Sequence, residues 1–419
     1  MASLSTFEGN LSFLDPATNS NPFPAYAHLL QEQPIYFDPA IRFFVVTRYE
    51  DIRRILMDPK TFSSAAWQDT ARAHFENERS KEIAERFSSK GGWVPTPNLA
   101  SLDDPRHREV RALFEKAFRP ARVREMEDDI RLTAAALVDA FAVRGHCELV
   151  TDFSIPFPLT VVSRQVGARV EDIWRIKGWV NSLVARVSFF QTDEELISTV
   201  DHIVEAQRYF KKIVDDLRGN SDGTVLSDLV NTPLSDGQFM SDAEIVTNII
   251  DVIFLAGTET TTNAISAGVL MLCEQPALFD RLKASPEEHM RVFVEEVLRL
   301  QSPAQGLYRV VTEEVEIHGM KLPPGSVLHL RIGAANRDES KFKCPGEIDL
   351  DRKNAAVHLA FGSGLHHCVG STLARRELYC AFTTILDRFA GLRLSAQQGP
   401  IEYLQNYMFR AIKALHVEF

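Results

Sequence analysis

Apolar residues recur at helical spacing along most of the chain, while runs of β-branched and aromatic residues are short and few. Helices are predicted over 106–118, 123–141, 171–187, 194–218, 242–274, 276–284, 287–300 and 371–388. Ser241-Asp242-Ala243-Glu244 opens the longest of them with a capping-box pattern, in which serine and glutamate satisfy free backbone N–H groups reciprocally. The segment PIYFDPAIRFFVVTRYEDIRRIL reads as two short strands followed by a helix opening near Tyr49. Strand-like pieces return at 308–317 and 326–330. Between 63 and 104 the pattern dissolves, apart from a short helical stretch at 81–87; a weakly structured segment of that length is usually functional or mobile. The expected fold class is mainly α with a minor β-sheet region, β-richer near 30–60 and 308–332. Length alone suggests two or three domains, but no strong linker separates these elements, so 1–419 is read as a single domain.

Composition narrows the function rather than the fold. The chain is 45% hydrophobic and 25% charged, ordinary for a globular protein, and its net charge of −11 argues against a global preference for nucleic acid or anionic membrane. A local basic patch stays compatible with that balance. The N-terminus MASLSTFEGNLSFLDPATNSNPFP lacks the basic start, apolar run and cleavage site of a signal peptide. The most apolar stretch, 249–257, is interrupted by Asp251 and followed by Glu259, and is too short to span a bilayer. A soluble cytoplasmic protein is expected. Five cysteines, Cys147, Cys273, Cys344, Cys368 and Cys380, are odd in number and widely spaced, which fits a reducing compartment better than a disulfide framework.

The stretch FGSGLHHCVG, Phe361 to Gly370, places two histidines and a cysteine between glycines. A structural zinc site wants four ligands, commonly in close pairs, and Cys368 has no near second cysteine. A nucleophilic cysteine needs a positioned base, a part His366 could play. A glycine-rich turn with a buried thiol is the plainest reading of Cys368 alone. Gly362, Gly364 and Gly370 shift that balance, because they let backbone N–H groups approach a sulfur at the entry to a helix, where negative charge is favoured. That environment stabilises a thiolate, and a lone thiolate completing a porphyrin's coordination is haem-thiolate chemistry.

Phe361, Gly364, His366, Cys368 and Gly370 resemble the cysteine-ligand loop of the cytochrome P-450 family, and LARRE, Leu373 to Glu377, resembles the start of the helix that follows it. The resemblance extends from the hairpin near Ile35 to Phe419. It implies a fold with haem b between the long central helix and the cysteine-loop helix, and Cys368 as the iron's axial ligand. Phe361, Gly362 and Gly370 would shape that ligand's surroundings.

Other constellations fit the same resemblance. In LAGTETT, residues 255–261, Ala256, Glu259 and Thr260 share one helix face, and an acid and a hydroxyl in an apolar helix are costly unless used. Thr260 could open the helix by bonding a backbone carbonyl, with Gly257 leaving room for a small ligand. The resemblance makes Glu259 and Thr260 the acid–alcohol pair that relays protons to dioxygen, beside the haem-facing Ala256. Glu296 and Arg299 have Glu-x-x-Arg spacing, commonplace as an isolated pair; the resemblance joins Arg352 to them as a structural trio bracing the cysteine loop. His107 and Arg111 lie four apart on a helix, in isolation a solvated face. With Arg309 and His366 they match the family's contacts to the haem propionates, which need cationic or hydrogen-bonding partners. His367 falls at a variable position of the loop and is read as idle.

The function so implied is a monooxygenase that inserts one oxygen atom of O2 into a small-to-medium hydrophobic substrate. Electrons would come from NAD(P)H through a separate ferredoxin and reductase. A local basic excess over 106–124 nominates Lys116, Arg119 and Arg122, with Arg376, for docking an acidic ferredoxin; a plain solvated face is the alternative. Pocket walls are proposed by position: Trp93, Val94 and Leu99; Val184 and Val187; Val252 with Ala256; Ala304, Gln305 and Leu307; Tyr407 and Met408. This wall is largely apolar, with Gln305 available to anchor one polar group. A peroxide-using haem-thiolate enzyme or a non-catalytic haem sensor would have no need of the Glu259–Thr260 pair.

Overall fold

The computed structural model describes residues 11–65 and 79–419; residues 66–78 of the patternless 63–104 stretch lie outside the described residues. Helices dominate the described residues. The largest sheet has five strands: β1 (Ile35–Asp38), β2 (Phe43–Val46), β3 (Phe62–Ser63), β4 (Leu307–Val311) and β5 (Val327–Leu330), in the order β1-β2-β5-β4-β3. β1 and β2 form the predicted hairpin, with Ile35 opposite Val46. β2 runs parallel to β5, and β5 antiparallel to β4, which sets Arg309 opposite Leu328. Both faces of the sheet are covered, which is why β2 reads as a continuous apolar run and β5 as one broken only by the buried His329. Val46, Leu328 and Leu330 pack with helix α1 (Tyr49–Met57) on one side, and Phe43, Val45 and Val327 pack with Tyr26 and Tyr407 on the other.

The elements that frame the functional region are α2 (Arg106–Ala117), α3 (Glu127–Ala142), α4 (Ile173–Arg186), α5 (Asp193–Leu217), the central helix over 242–274, α6 (Pro286–Gln301) and α7 (Ser371–Arg388). The capping box at Ser241 forms as expected: Glu244 N donates to Ser241 Oγ at 3.2 Å, and Ser241 N to Glu244 Oε2 at 2.9 Å. The central helix is buried on nearly every side from Thr258 to Leu272. Gly268 permits its contact with α7, since a Cβ there would sit 2.3 Å from the Phe382 ring.

Several features depart from the periodicity, among them the unpredicted helices Phe23–Glu32 and Val225–Asn231. The helix expected over 123–141 is two helices, Pro120–Glu125 and Glu127–Ala142, meeting at Met126. Glu127, Asp128 and Asp129 favour a fresh helix start there, beside the positive end of the helix dipole. The helix Pro156–Gln165 was not anticipated, because its prolines and β-branched residues argue against one; its prolines fall in the first turn, where their missing N–H groups cost little. The central helix is not uniformly α: Asp242–Asn248 and Ala256–Glu274 flank a π-helical segment, Ile249–Leu255. The short helix anticipated over 81–87 spans Arg79–Ser89. Among the described residues no helix is long and apolar enough to cross a membrane.

Candidate functional site

The cysteine loop is a folded turn fixed by its own backbone. Cys368 N donates to Phe361 O at 2.9 Å and Gly362 N to Leu359 O at 2.8 Å. Gly362 and Gly364 take φ of +68° and +69°, the left-handed region that glycine enters without strain. At Gly364 a Cβ would stand 2.4 Å from Leu56 O of α1, so the loop seats against that helix only because no side chain intervenes. Cys368 is exposed whereas Cys147, Cys273 and Cys380 are buried. Burial among surrounding atoms raises its pKa, opposed by the Gly370 backbone N–H and by the charges of Arg111 and Arg375. Its sulfur therefore faces open space while being closely surrounded, the position of a group lining an internal cleft. Among the described residues no three His, Cys, Asp or Glu side chains gather as a metal cluster, so His366, His367 and Cys368 do not form a three-ligand box. His367 is half-buried near Phe361, with ring centroids 6.4 Å apart.

Two buried acid–base groups hold the approach to this loop. Glu296 receives Arg299 Nε at 2.6 Å, Arg299 Nη2 at 2.9 Å and Arg352 Nε at 3.0 Å, so the anticipated trio is brought together. The spare donors of Arg299 reach the carbonyls of Asn336, Pro345 and Glu347, and Arg352 reaches Lys343 O. Every charge in the group has partners, which is what makes its burial tolerable. Sequence reasoning missed the second group, centred on the adjacent Glu295. Burial alone would raise that carboxyl's pKa, but His358 and Arg375 overcome it and hold it down to about 2. Arg375 donates to it at 2.6 and 3.0 Å, and His358 Nε2 lies 3.0 Å away while His358 Nδ1 accepts from Ala360 N. Arg375 also lies over the Phe361 ring at 4.4 Å. The double acid Glu295-Glu296 and the double base Arg375-Arg376 were the available signals.

Beside the loop sits a group of histidines and arginines, and the histidine nitrogens are short of protein partners. The His107 and His366 rings are 4.1 Å apart. His107 is fully buried, yet among the described residues neither of its ring nitrogens has a hydrogen-bond partner, nor has His366 Nε2. Arg309, on β4, is buried and among the described residues donates only to the carbonyl of Tyr308 at 2.6 Å. Burial and the positive neighbours Arg309, His107 and Arg111 press the His366 pKa down to about 3. Burial lowers Arg309 to about 10, with Asp103 pulling it back. Arg111 is tied to Glu115 at 2.7 Å. Buried donors that repel one another and stay unsatisfied need an anion with several acceptor oxygens. The two carboxylates of a haem, ligated through Cys368, fit that demand.

The central helix, which packs against α7, carries the next group. Ala256 is exposed at the point where the π segment ends. Thr260 Oγ1 donates to Ala256 O at 2.7 Å, the back-bond expected of it, and Thr258 and Thr261 bond back to Phe254 and Gly257. Three such bonds in succession loosen and bend a helix. Glu259 does not hang free: it is buried in an ion pair with Lys177 of α4, also buried. Lys177 was missed because nothing in its local sequence singles it out. A second acid, Glu377 of α7, accepts from Thr261 Oγ1 at 3.3 Å, and burial raises its pKa to about 8.

The pocket candidates divide. Val184, Val187, Val252, Ala304, Leu307 and Met408 are partly exposed, as is Trp93. Ala304 bridges Phe409, and Gln305 N bonds Met408 O, so these two loops do meet. Leu307 lies against the cysteine loop, 3.6 Å from where a Gly362 Cβ would be. Gln305 cannot anchor a ligand: its amide donates to Gln301 O and Ser302 O and accepts from Tyr26 Oη at 2.6 Å. Tyr407 is 0% exposed, wedged between Phe189 and His329, and is core rather than wall. Leu99 is 5% exposed and Val94 is 39% exposed, one interior and one at the surface. Of the docking candidates, Lys116 and Arg119 are exposed, Arg122 donates to Gly223 O, and Arg376 is bound to Glu127 at 2.9 Å. Next to them Arg124, Arg291, Arg375 and Arg376 line an open groove of about 370 Å³ floored by Val123, Val294 and Tyr379.

Known proteins resemble this chain over most of its length. The family model for cytochrome P450 matches residues 187–414. Cytochrome P450 109 of Bacillus spizizenii is 29% identical over 400 residues, covering 94% of this chain and 91% of that protein. The methyl-branched lipid omega-hydroxylase of Mycobacterium tuberculosis is 32% identical over 410 residues, covering 94% and 90%. Among solved structures, cytochrome P450 CREJ in complex with (4-ethylphenyl) dihydrogen phosphate superposes with a TM-score of 0.88 at 30% identity, covering 96% of this chain and 97% of that one. An accessible thiol in a glycine-shaped turn, buried histidines beside it whose ring nitrogens lack partners among the described residues, and a central helix carrying Glu259 and Thr260 are thus found in a chain that belongs to the cytochrome P450 family.

Proposed function

We propose that this single-domain cytoplasmic cytochrome P450 monooxygenase holds its haem iron through Cys368 and the propionates through His107, Arg111, Arg309 and His366. The haem, when bound, supplies the activation of dioxygen and the transfer of one oxygen atom to a hydrophobic organic substrate. The observation that carries this reading is the set of buried, unpartnered donors on His107 and His366 beside an exposed Cys368.

The chain's own contribution is placement, proton handling and exclusion of water. Thr260 spends its hydroxyl proton on Ala256 O, so the Oγ1 lone pairs are left to accept from a water or ligand in the cleft. Glu259 Oε1 is taken by Lys177, and Oε2 is the oxygen left to pass a proton toward Thr260. Lys177 sets how far Glu259 can swing, which couples proton delivery to the position of α4. Val184, Val187, Val252, Ala304 and Met408 supply an apolar wall that favours an apolar substrate and keeps water out. Electrons arrive from NAD(P)H through a separate ferredoxin-type carrier docked near Lys116 and Arg119, with Arg124 and the adjoining groove in place of Arg122, while Arg376 lines that groove with its charge already paired to Glu127.

The test is the spectrum of the reduced carbonyl complex. Wild type should give the red-shifted band for which the family is named, Cys368→Ser should lose it, and His367→Ala should keep it. Equal loss from both substitutions would return His367 to the ligand set and sink this assignment. Turnover driven by a ferredoxin and reductase but not by peroxide excludes the peroxide-using alternative, and any turnover excludes a sensor.

A further inference from the structure

Asp251 is an acid on the π-helical segment of the central helix, and the proton relay does not use it. Three elements converge on it. The first is the loop carrying Trp93 and Leu99, which is stitched down at several points. Gln207 of α5 receives Trp93 N and donates to Trp93 O, Thr96 N donates to Thr247 Oγ1, and Leu99 N donates to Asn248 Oδ1 at 3.0 Å. Asn98 closes the series by donating its amide to Asp251 Oδ2 at 3.0 Å. Asn98 is itself locked, since its Oδ1 caps the turn Leu99–Ser101. The second element is the end of α4, whose Arg186 is close enough to act on Asp251 by charge. The third is the central helix, where Asp251 precedes the partly exposed Val252 and the exposed Ala256.

One carboxylate oxygen is left over. Asp251 Oδ2 takes Asn98, while Oδ1 has no protein hydrogen bond among the described residues. The side chain keeps some accessible surface, although burial raises its carboxyl pKa. As with Cys368, accessibility in a crowded place means that the group faces an interior cleft. We infer that Asp251 Oδ1 is a specificity determinant, accepting a hydrogen bond from a hydroxyl or ammonium group on the far end of an otherwise apolar substrate. Nine residues separate Asp251 from Thr260, at most roughly 13 Å along the helix, since the π-wound turn rises less per residue than an α-helix. The oxidised carbon therefore lies about one extended medium-length chain away from the donor group. A free acid in an apolar wall also selects against apolar ends, which leave it unpaired.

This inference deepens the monooxygenase reading and rests on it. The experiment titrates the haem-loaded enzyme with decanol and with its isomer methyl nonyl ether, following displacement of the iron-bound water and, independently, the heat of binding. The two isomers match in size; only decanol can donate. Wild type should bind decanol about tenfold more tightly, the value of one additional hydrogen bond. Asp251→Asn keeps an oxygen for Asn98 and turns an NH2 group to the cleft, so the preference should vanish or invert toward the ether. Asn98→Ala should weaken both isomers in parallel, because it loosens the loop without touching Oδ1. The proposal fails if wild type does not distinguish the isomers, or if Asp251→Asn retains the distinction. A protein without the red-shifted carbonyl band would instead sink the monooxygenase reading itself.

Discussion

At the scale of single residues, the site is governed by which buried charges have partners. Lys177 and Glu259 are both under 9% exposed and satisfy each other. Removing one member of such a pair leaves the other desolvated and alone, at a cost of about 3–5 kcal/mol. Lys177→Met should therefore lose stability of that order in denaturant unfolding, while the double variant Lys177→Met with Glu259→Gln should recover most of it. Glu259→Gln alone should slow turnover roughly a hundredfold, within the usual range for a lost proton-transfer group, without weakening the substrate-induced spectral shift. An unchanged midpoint for Lys177→Met would mean that the pair does not hold in solution. Glu377 gives a pH signature of the opposite kind. Its folded pKa lies at about 8 against an ordinary 4.5, so the folded state holds a proton that the unfolded state has released. Its contribution is fully present below pH 4.5 and is lost as pH rises through about 8. Glu377→Gln should flatten the dependence of melting temperature on pH across that window, with the variant gaining on wild type at the alkaline end. Parallel profiles would contradict the assigned protonation.

At the scale of elements, the cysteine loop depends on α1 as much as on its own sequence. Gly364→Ala forces a Cβ to 2.4 Å from Leu56 O at a positive φ, where an alanine is strained as well as crowded. A loss of at least about 1 kcal/mol and a fall in haem-to-protein ratio should follow. Gly391→Ala, where an added Cβ meets nothing within 4 Å, should show neither change. A normal haem content in the Gly364 variant would show that the loop can re-seat. The same loop marks what the sequence makes legible. Its glycines, its cysteine and the helix after it are contiguous, so their chemistry can be read in one stretch. The Glu296–Arg299 pair could be read because it is local, whereas Glu295, His358 and Arg375 meet only after three separate elements have packed. Lys177 is invisible for the same reason, being 82 residues from Glu259. The π segment escaped because periodicity over 242–274 is dominated by apolar residues that satisfy either winding. Gln305 and Tyr407 were misplaced because position along the chain does not tell which way a side chain turns.

At the scale of the whole molecule, an acidic protein must still attract an acidic electron carrier if the docking proposal holds. A net charge of −11 repels such a partner at long range, so the attraction must come from a local field that survives at contact distance. The candidates over 106–124 do not contribute equally. Arg106, Arg108 and Arg111 are each engaged by Glu244, Asp104 or Glu115. Arg122 is turned to Gly223 O, and Arg376 is neutralised by Glu127. Lys116 and Arg119 are exposed, and Arg124 and Arg291 border the groove whose floor is apolar. A partner that fits this surface places acids over the arginines and an apolar contact on Val123 and Val294. Charge reversal at Lys116 and Arg119 together should slow ferredoxin-driven reduction at low salt by about tenfold, with the difference shrinking as salt is raised. Arg122→Glu should change the rate little, because its guanidinium already serves the fold. Stopped-flow reduction measured across ionic strength separates these cases. If Arg122→Glu slowed reduction as much as the double reversal, the surface would extend toward Gly223, and the groove would lose its place as the docking site.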